Sequence, residues 1–479
     1  MGMRRTVLLL ISAALSVVLL SGGSGTTFRE AQAITAKPNF VFILADDMRK
    51  DDLTYMPKTR SLLEDKGITF SNAYVSNPLC CPSRATIMRG QYAHNTGVWD
   101  NVNGTDGGWQ GYRSNNGNNE NDNIATRLHK AGYRTALIGK YLNEYANTTY
   151  KPPGWDKWFA TFALTFDYFN YDVNDNGTIR HFGTSDSAYL TDVLRRQTRS
   201  FIDTSVAQGK PFFAYVTPIA PHNPANAAPR DLHTYDGEKV TRLDSFNEAD
   251  VSEKPPWIKS LPILTRAQIA DIDKRHENRV ETLQALDDLV EGVANKLQRS
   301  GQLSNTYVVF TSDNGYHLGE HRIPKAKGRP YEEDIHVPLL VRGPGVAAGS
   351  STDELVLNTD YFPTFTELAG IPTPSYVDGR SLLPVLTGTA TKQRSAILLE
   401  AHQTKQGGET PAYSGIRTAS GSKYIEYEGG VRELYDLVAD PYELTNNYDS
   451  APRPDALEER LQALKSCAGV TCRQAEDGQ

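Results

Sequence analysis

Cysteine is scarce in this chain, with four residues in 479, and they fall in two close pairs, Cys80-Cys81 and Cys467…Cys472. Cys467 and Cys472 sit close enough to close a small disulfide loop in an oxidising compartment. A zinc site there is disfavoured, because two thiolates without nearby histidines make a poor tetrahedral set. A strong excess of one charge is also missing. The formal net charge of −7 argues against nucleic acid or an anionic membrane surface as the main partner. It leaves room for a small anionic substrate, which needs only a local cluster of cations. The uncharged apolar run Val7–Leu20 is shorter than the roughly 20 residues a membrane span needs. Arg4 and Arg5 precede it and Ala31-Gln32-Ala33 follows, so it reads as an export signal with a cleavage site. The polar stretch after it holds no stop-transfer pattern and no nearby cysteine for a lipid anchor. Residues 1–33 are therefore expected to be a signal peptide and the protein to be secreted or extracytoplasmic without stable membrane association. An uncleaved anchor is the alternative. Internal repeats are absent.

What is present is enough chain for one large core and a second, smaller one. Asn39-Phe40-Val41-Phe42-Ile43-Leu44 is a continuous apolar run, the pattern of a strand buried on both faces of a parallel sheet. A helical pattern from Ile124 to Ala131 stops at Gly132. Thr135-Ala136-Leu137-Ile138, Phe212-Phe213-Ala214-Tyr215-Val216 and Tyr307-Val308-Val309-Phe310 read as further strands. Leu283, Leu286, Val290, Val293 and Leu297 mark one face of a helix. The alternation predicts an α/β fold with a mostly parallel sheet over residues 34–388. Beyond about Gly388 the texture changes. Tyr424–Tyr427 and Leu434–Leu437 read as antiparallel strands and Leu457–Leu464 as a helix, giving a smaller α+β subdomain over residues 389–479. The Gly- and Asn-rich stretch Asp100–Asn123, which holds the sequon Asn103-Gly104-Thr105, is expected to be a long surface loop.

Residues with chemical potential recur just past the strands, where ligands bind in open α/β sheets. Asp46 and Asp47 follow the first strand, and Asp313 and Asn314 follow a later one. Three carboxylates and an amide oxygen form a hard donor set suited to Ca²⁺ or Mg²⁺ rather than zinc. Each pair alone is also an ordinary turn or cap sequence. Lys140 is delivered to the sheet edge by an apolar strand, Lys325, Lys327 and Arg329 cluster further on, and His222 sits in Ala220-Pro221-His222-Asn223-Pro224. A lysine is ordinarily a solvated surface residue. His222 reads either as a proton donor to a leaving oxygen or as a capped loop histidine. His317 and His321 lie close to Asp313 and Asn314, where they could line a pocket, and His94 reads as structural. Asp172–Gly177 imitates the start of a calcium loop but has Gly183 at the twelfth position, so a hairpin turn at Asn176-Gly177 is expected instead.

The most informative stretch is Cys80-Cys81-Pro82-Ser83-Arg84. Taken alone, its cysteines could be disulfide partners or small buried apolar side chains. The pattern Cys80-x-Pro82-x-Arg84 resembles the active-site motif of the type I sulfatases, and the frame is unique, since starting at Cys81 would put Ser83 where proline is required. The resemblance extends over nearly the whole chain after the signal. Asn39–Asp47 is similar to the family's first strand and metal pair, and Asp313-Asn314-Gly315 with the Lys327–Tyr331 spacing to its second. Asp360–Thr364, Asp378–Leu382 and Glu433–Leu437 resemble its later structural motifs. Gly139-Lys140-Tyr141-Leu142-Asn143 resembles the form in glucosamine-6-sulfatases and extracellular heparan endosulfatases; Leu142 replaces a histidine common in other sulfatases.

The resemblance implies an alkaline-phosphatase-like fold, a large mixed sheet flanked by helices with the small C-terminal subdomain. It implies that Cys80 is converted to formylglycine by a formylglycine-generating enzyme, and that Asp46, Asp47, Asp313, Asn314 and the converted Cys80 hold one divalent cation, calcium or magnesium. Arg84 would steady the aldehyde hydrate, Lys140 and Lys327 would bind sulfate oxygens, and His222 would protonate the leaving alcohol. A sulfate ester repels nucleophiles by its spread negative charge, so neutralising groups are required. A geminal diol supplies one hydroxyl to attack sulfur and a second to expel the sulfate, which serine lacks. The expected function is hydrolysis of a sulfated sugar such as N-acetylglucosamine 6-sulfate, or of aryl sulfates. A phosphodiesterase or phosphonate monoester hydrolase of the same superfamily, and a catalytically silent sulfated-glycan-binding protein, are the alternatives.

Overall fold

The computed structural model describes residues 37–162, 166–389, 394–403 and 410–479; the signal reading of residues 1–33 lies outside them. Among the described residues the main sheet has ten strands. At its centre Thr306–Ser312, Asn39–Ala45, Phe212–Thr217, Arg134–Lys140 and Lys157–Thr161 run parallel in that order. Every residue of Asn39–Ala45, Phe212–Thr217 and Thr306–Ser312 is buried, which is why these segments read as unbroken apolar runs rather than alternating ones. Leu339–Arg342 lies antiparallel beside Thr306–Ser312, with Ile68–Phe70 and Ser350–Thr352 beyond it, and the antiparallel hairpin Tyr171–Asp175/Thr178–Phe182 lies beside Lys157–Thr161. The hairpin turn is the expected Asn176-Gly177, with φ of 51° and 91°, the left-handed pair that a tight two-residue turn requires.

Two apolar cores lie on opposite faces of the sheet, because side chains alternate along each strand. Phe40, Phe42 and Leu44 face one, with Phe213, Tyr215 and Phe365. Val41 and Ile43 face the other, against Leu283, Leu286, Val290 and Val293 of the helix Arg266–Arg299. A separate four-stranded antiparallel sheet, Ala396–Ala401, Tyr413–Thr418, Ser422–Tyr427 and Arg432–Asp436, forms near the C-terminus with the helix Asp455–Lys465. Its core includes Tyr74, Tyr92 and Tyr331 from earlier in the chain. Glu400 N–H donates to the Ser76 carbonyl at 2.8 Å, pinning the small sheet to the segment just before Cys80. Cys467 and Cys472 are disulfide-bonded. No described helix is long and apolar enough to cross a membrane.

The stretch Asp100–Asn123 corrects the expected surface loop. It forms the helix Gly108–Ser114 and short helical turns, and Asn101, Tyr112, Asn119 and Glu120 are buried. Its asparagines supply bonds that a sheet or helix would otherwise provide. Asn101 Oδ1 accepts from Cys81 N–H at 2.8 Å, and Asn119 Nδ2 donates to the Thr96 carbonyl at 3.1 Å. Buried Glu120 accepts from Trp109, Tyr141 and Tyr150.

His94 is structural, as its sequence context suggested. Its Nδ1 lies 2.8 Å from Glu400 Oε2 and its Nε2 2.9 Å from the Cys467 carbonyl, so both nitrogens face acceptors and the ring is held protonated. Burial alone would lower its pKa, but Glu400 outweighs that and raises it to about 9. Below the ordinary value of about 6.5 the ring is protonated whether folded or not, so its stabilisation is complete there; it is lost as pH rises through 9. We expect thermal stability to fall by about 2 kcal/mol between pH 6.5 and 9.5 from this group. His94→Gln should flatten that part of the melting-temperature profile, and an unchanged slope would contradict the assignment.

Candidate active site

The first strand ends at Ala45 and delivers Asp46 and Asp47 to the carboxyl edge of the sheet. Asp47 adopts φ of 63°, a left-handed conformation that costs a non-glycine residue about 1–2 kcal/mol. Its surroundings hold it there. Asp47 N–H donates to Asp313 Oδ1 at 3.1 Å, and its carbonyl accepts from Arg279 Nη2 at 2.6 Å. Strain of this kind, stored at a polar sheet edge, marks a place where side chains have been aimed.

Cys80 opens the ten-residue helix Cys80–Arg89. Leu79 before it is extended, and no acidic residue lies in the first turn, so the positive end of the helix is turned toward whatever Cys80 faces. All ten residues are buried. The helix stops at Gly90, φ 64°, where a Cβ would meet Phe362 and Val377 at 2.9 Å. Lys140 arrives at the end of its own strand because Gly139 lets that strand press against the next; a Cβ at Gly139 would lie 2.1 Å from the Thr217 carbonyl oxygen.

These elements bring the expected residues into one buried cluster. Lys140 Nζ lies 2.6 Å from Asp46 Oδ2. Arg84 Nε lies 2.8 Å from Asp313 Oδ2, and its Nη2 3.4 Å from Asp46 Oδ2. Lys327 Nζ bonds Asp47 Oδ1 and lies 2.7 Å from Cys80 Sγ. Cys80 Sγ is 3.4 Å from Asp46 Oδ1 and 3.8 Å from Asp47 Oδ1. His222 Nε2 lies 3.6 Å from Asp47 Oδ2, while its Nδ1 faces the Asn223 carbonyl at 2.6 Å. The carbonyl places the proton on Nδ1 and leaves Nε2 directed at the cluster.

Burial shapes the electrostatics. It would raise the Asp46 carboxyl, but Lys140, then His222, Arg84 and Lys327, more than offset it and hold the group well below the usual carboxylate range. Burial followed by the Asp46 charge pushes the Cys80 thiol far up, so as a plain thiol it is protonated and a poor nucleophile. Burial also lowers His222 against the pull of Asp47 and Asp46. Lys327 is raised well above its ordinary value: burial opposes its charge, but Asp47 and Cys80 prevail.

The donor chemistry fits a hard divalent cation. Ligand atoms of Asp46, Asp47, Cys80 and His222 lie within 4.8 Å of one another. The side-chain oxygen of Asn314 is buried without a partner, while its nitrogen donates to Asp47 Oδ1 at 2.7 Å. Turning that amide over would set an oxygen against the Asp47 carboxylate, an arrangement that a shared cation satisfies. Asp313 is less free than the sequence suggests, since its two oxygens accept from Asp47 N–H and Arg84.

Two groups in the cluster escaped sequence reasoning. Phe166 lies under Lys140, with Nζ 4.7 Å from the ring centre, and against His222 at 4.3 Å between ring centres. Nothing in the aromatic-rich segment around it gives a period to follow. Arg279 bonds the Asp47 carbonyl and Asp52 Oδ2. It lies seven residues before Leu286, so its charge interrupts the apolar stripe of the helix; that interruption was the available signal. His317 and His321 do not line a pocket. Both are fully buried, bonded through Nδ1 to Asp334 and Glu248. Asp334 also accepts from Arg329 N–H at 2.9 Å, so His317 and Asp334 brace the loop that carries Lys327.

The family described as "Sulfatase" matches residues 38–371, and that described as "N-sulphoglucosamine sulphohydrolase, C-terminal" matches residues 319–467. The human N-acetylglucosamine-6-sulfatase is 35% identical over 504 residues, covering 95% of this chain and 89% of that protein. A putative extracellular sulfatase Sulf-1 homolog of Caenorhabditis elegans is 36% identical over 77% of this chain, which spans 52% of that protein's length. The chain thus covers about half of that longer relative. Among solved structures, BT4656 in complex with its substrate D-glucosamine-2-N,6-O-disulfate superposes with a TM-score of 0.76 at 24% identity, over 93% of this chain and 100% of that one, and shares its fold.

Proposed function

Since the chain belongs to the sulfatase family, we propose that it is an exported sulfuric ester hydrolase acting on a sulfated amino sugar, with Cys80 matured to formylglycine. The observation that carries this reading is the approach of Lys327 Nζ to Cys80 Sγ at 2.7 Å beside Asp46 and Asp47. One position thereby has a cation on one side and a hard-metal donor set on the other. Burial and the Asp46 charge raise the Cys80 thiol, so an unmodified thiol at this position is a poor nucleophile. A hydrated aldehyde at this position supplies two hydroxyls, one to attack sulfur and one to release it. When bound, a divalent cation held by Asp46, Asp47, Asp313 and Asn314, calcium or magnesium, supplies Lewis acidity toward a sulfate oxygen.

The remaining steps belong to the chain's own side chains. Lys140 and Lys327 exchange their aspartate partners for sulfate oxygens and neutralise the charge that grows as the ester bond breaks. Arg84, held by Asp313 and by the Lys140 carbonyl at 3.1 Å, fixes the position of residue 80 on the helix. His222 keeps Nδ1 on Asn223 and presents Nε2 to the departing alcohol. The anionic ester raises its lowered pKa by opposing charge, and the imidazolium so formed donates the proton. The amino-sugar substrate is supported by the Gly139–Asn143 form and by the activity for which the human relative is named. Export is supported by the pattern of residues 4–33 and by the extracellular naming of the nematode relative.

The test is a parallel assay of sulfate, phosphate and phosphonate esters with enzyme from the native host, with mass spectrometry of the Cys80 peptide. We expect the aldehyde mass and a preference for the sulfate ester. Faster phosphonate or phosphodiester cleavage would favour the other hydrolases of the superfamily, and an intact thiol with sugar binding alone a silent glycan-binding protein.

A further inference from the structure

The helix Arg266–Arg299 has 34 residues and is about 50 Å long, whereas a seven-residue strand such as Asn39–Ala45 spans about 23 Å. The helix therefore overshoots the sheet, and its first turns stand beside the carboxyl edge where Asp46 and Asp47 lie. Over the sheet its buried face is apolar, at Leu283, Leu286, Val290 and Val293. Residues four apart share a helix face. One turn before Leu283 that face carries Arg279, and one turn earlier Arg275. Arg279 is fully buried, and the Arg275 side chain is 19% exposed. Taking a guanidinium out of water is costly unless its N–H groups find acceptors, so the partners of these two arginines are informative.

Both arginines reach the loop that carries His222. Arg279 Nη2 donates to the Asp47 carbonyl at 2.6 Å and to Asp52 Oδ2 at 2.9 Å, and its Nη1 to the Pro221 carbonyl at 3.4 Å. Arg275 Nη1 donates to Asn223 Oδ1 at 2.8 Å, and the Asn223 amide nitrogen donates to the Tyr316 hydroxyl at 3.0 Å. Tyr316 in turn lies under Arg279, with its ring centre 4.9 Å from the guanidinium carbon. The Asn223 carbonyl is the acceptor that holds His222 Nδ1. Buried Tyr168 donates to the His222 carbonyl at 2.8 Å. Residues 221, 222 and 223 are thus each tied by a side chain, in a segment that is neither helix nor strand. A loop histidine needs no such support merely to stay folded.

We infer that Arg275 and Arg279 are positioning residues, a clasp that holds the His222 loop against the Asp47 turn and so aims Nε2 at the leaving oxygen. The inference deepens the reading above and rests on His222 being the proton donor. Arg279 fixes the distance between the two loops. Arg275 acts through Asn223, orienting the residue whose backbone accepts the Nδ1 proton. Misplacing a reacting group by about 1 Å can cost about 10²-fold.

Arg279→Ala risks the fold, because Arg279 is wholly buried, so Arg275 carries the test. Matured wild type, Arg275→Ala, Arg275→Lys, His222→Ala and the double variant Arg275→Ala/His222→Ala are assayed on N-acetylglucosamine 6-sulfate and 4-nitrophenyl sulfate. Nitrophenolate leaves as a stable anion, whereas a sugar alkoxide needs a proton. For Arg275→Ala we expect kcat on the sugar sulfate to fall about tenfold, with KM and the aryl sulfate kcat within about twofold. Arg275→Lys restores a donor and should recover most of the loss. The double variant should be no slower than His222→Ala alone, because the arginine acts through the imidazole; this comparison needs only the sugar sulfate. Losses that multiply in the double variant, equal losses on both esters, a loss confined to KM, or no loss at all would overturn the clasp. A His222→Ala variant that slows both esters alike would instead strike His222 as the proton donor, whatever Arg275→Ala does.

Discussion

Cys80→Ala should lose at least about 10⁴-fold in kcat/KM on any sulfate ester, because it removes the attacking group itself. Its melting temperature should stay within a few degrees of wild type, since Sγ contributes only long contacts to Asp46 and Asp47 and one to Lys327. Cys80→Ser separates attack from release. A single hydroxyl beside Lys327 can accept the sulfuryl group but has no second hydroxyl to expel it. The serine variant should release at most one equivalent of alcohol and retain a sulfuryl mass on the residue 80 peptide. Steady turnover by either variant, or by wild type whose peptide carries an intact thiol, would remove the basis for the proposed chemistry.

Stripping divalent cations should have the next largest effect, about 10³-fold or more on kcat/KM, restored by added calcium or magnesium. The side chains explain why the loss should appear in both kcat and KM. Asp46, Asp47 and Asp313 are buried together, and without a cation the charges that balance them are Lys140, Lys327 and Arg84. Lysines committed to aspartates are not free to hold a sulfate. Cation binding releases them, and the same competition predicts a lower melting temperature for stripped enzyme, because close carboxylates repel. Full activity after exhaustive chelation, verified by metal analysis, would show that the Asp–Asn set serves some other purpose.

The strands that aim the site were legible for a simple reason. A strand buried on both faces must be apolar at every position, so Asn39–Ala45 and Thr306–Ser312 stand out, and so do the polar residues that end them. The hairpin at Asn176-Gly177 was legible because only a few residue types accept two left-handed conformations in succession. The stretch Asp100–Asn123 was misread, since asparagine- and glycine-rich segments look like solvated loops until their side chains are seen to cap backbone groups elsewhere. Asn101 on Cys81 N–H and Glu120 under three aromatic side chains are long-range pairings with no local signature.

The sequence by itself determined the kind of chemistry: a cysteine in a motif frame, hard oxygen donors and cations, each following or adjoining a recognisable element. Residue type sets charge, basicity and ligand hardness, and those properties are local. Only the tertiary structure decided which of these groups meet. It brought Lys327 to Cys80 across 247 residues, placed Phe166 and Arg279 against the cluster, and turned His317 inward as a brace. Such meetings depend on sheet order and on the packing of one sheet against another, which no window of neighbouring residues encodes.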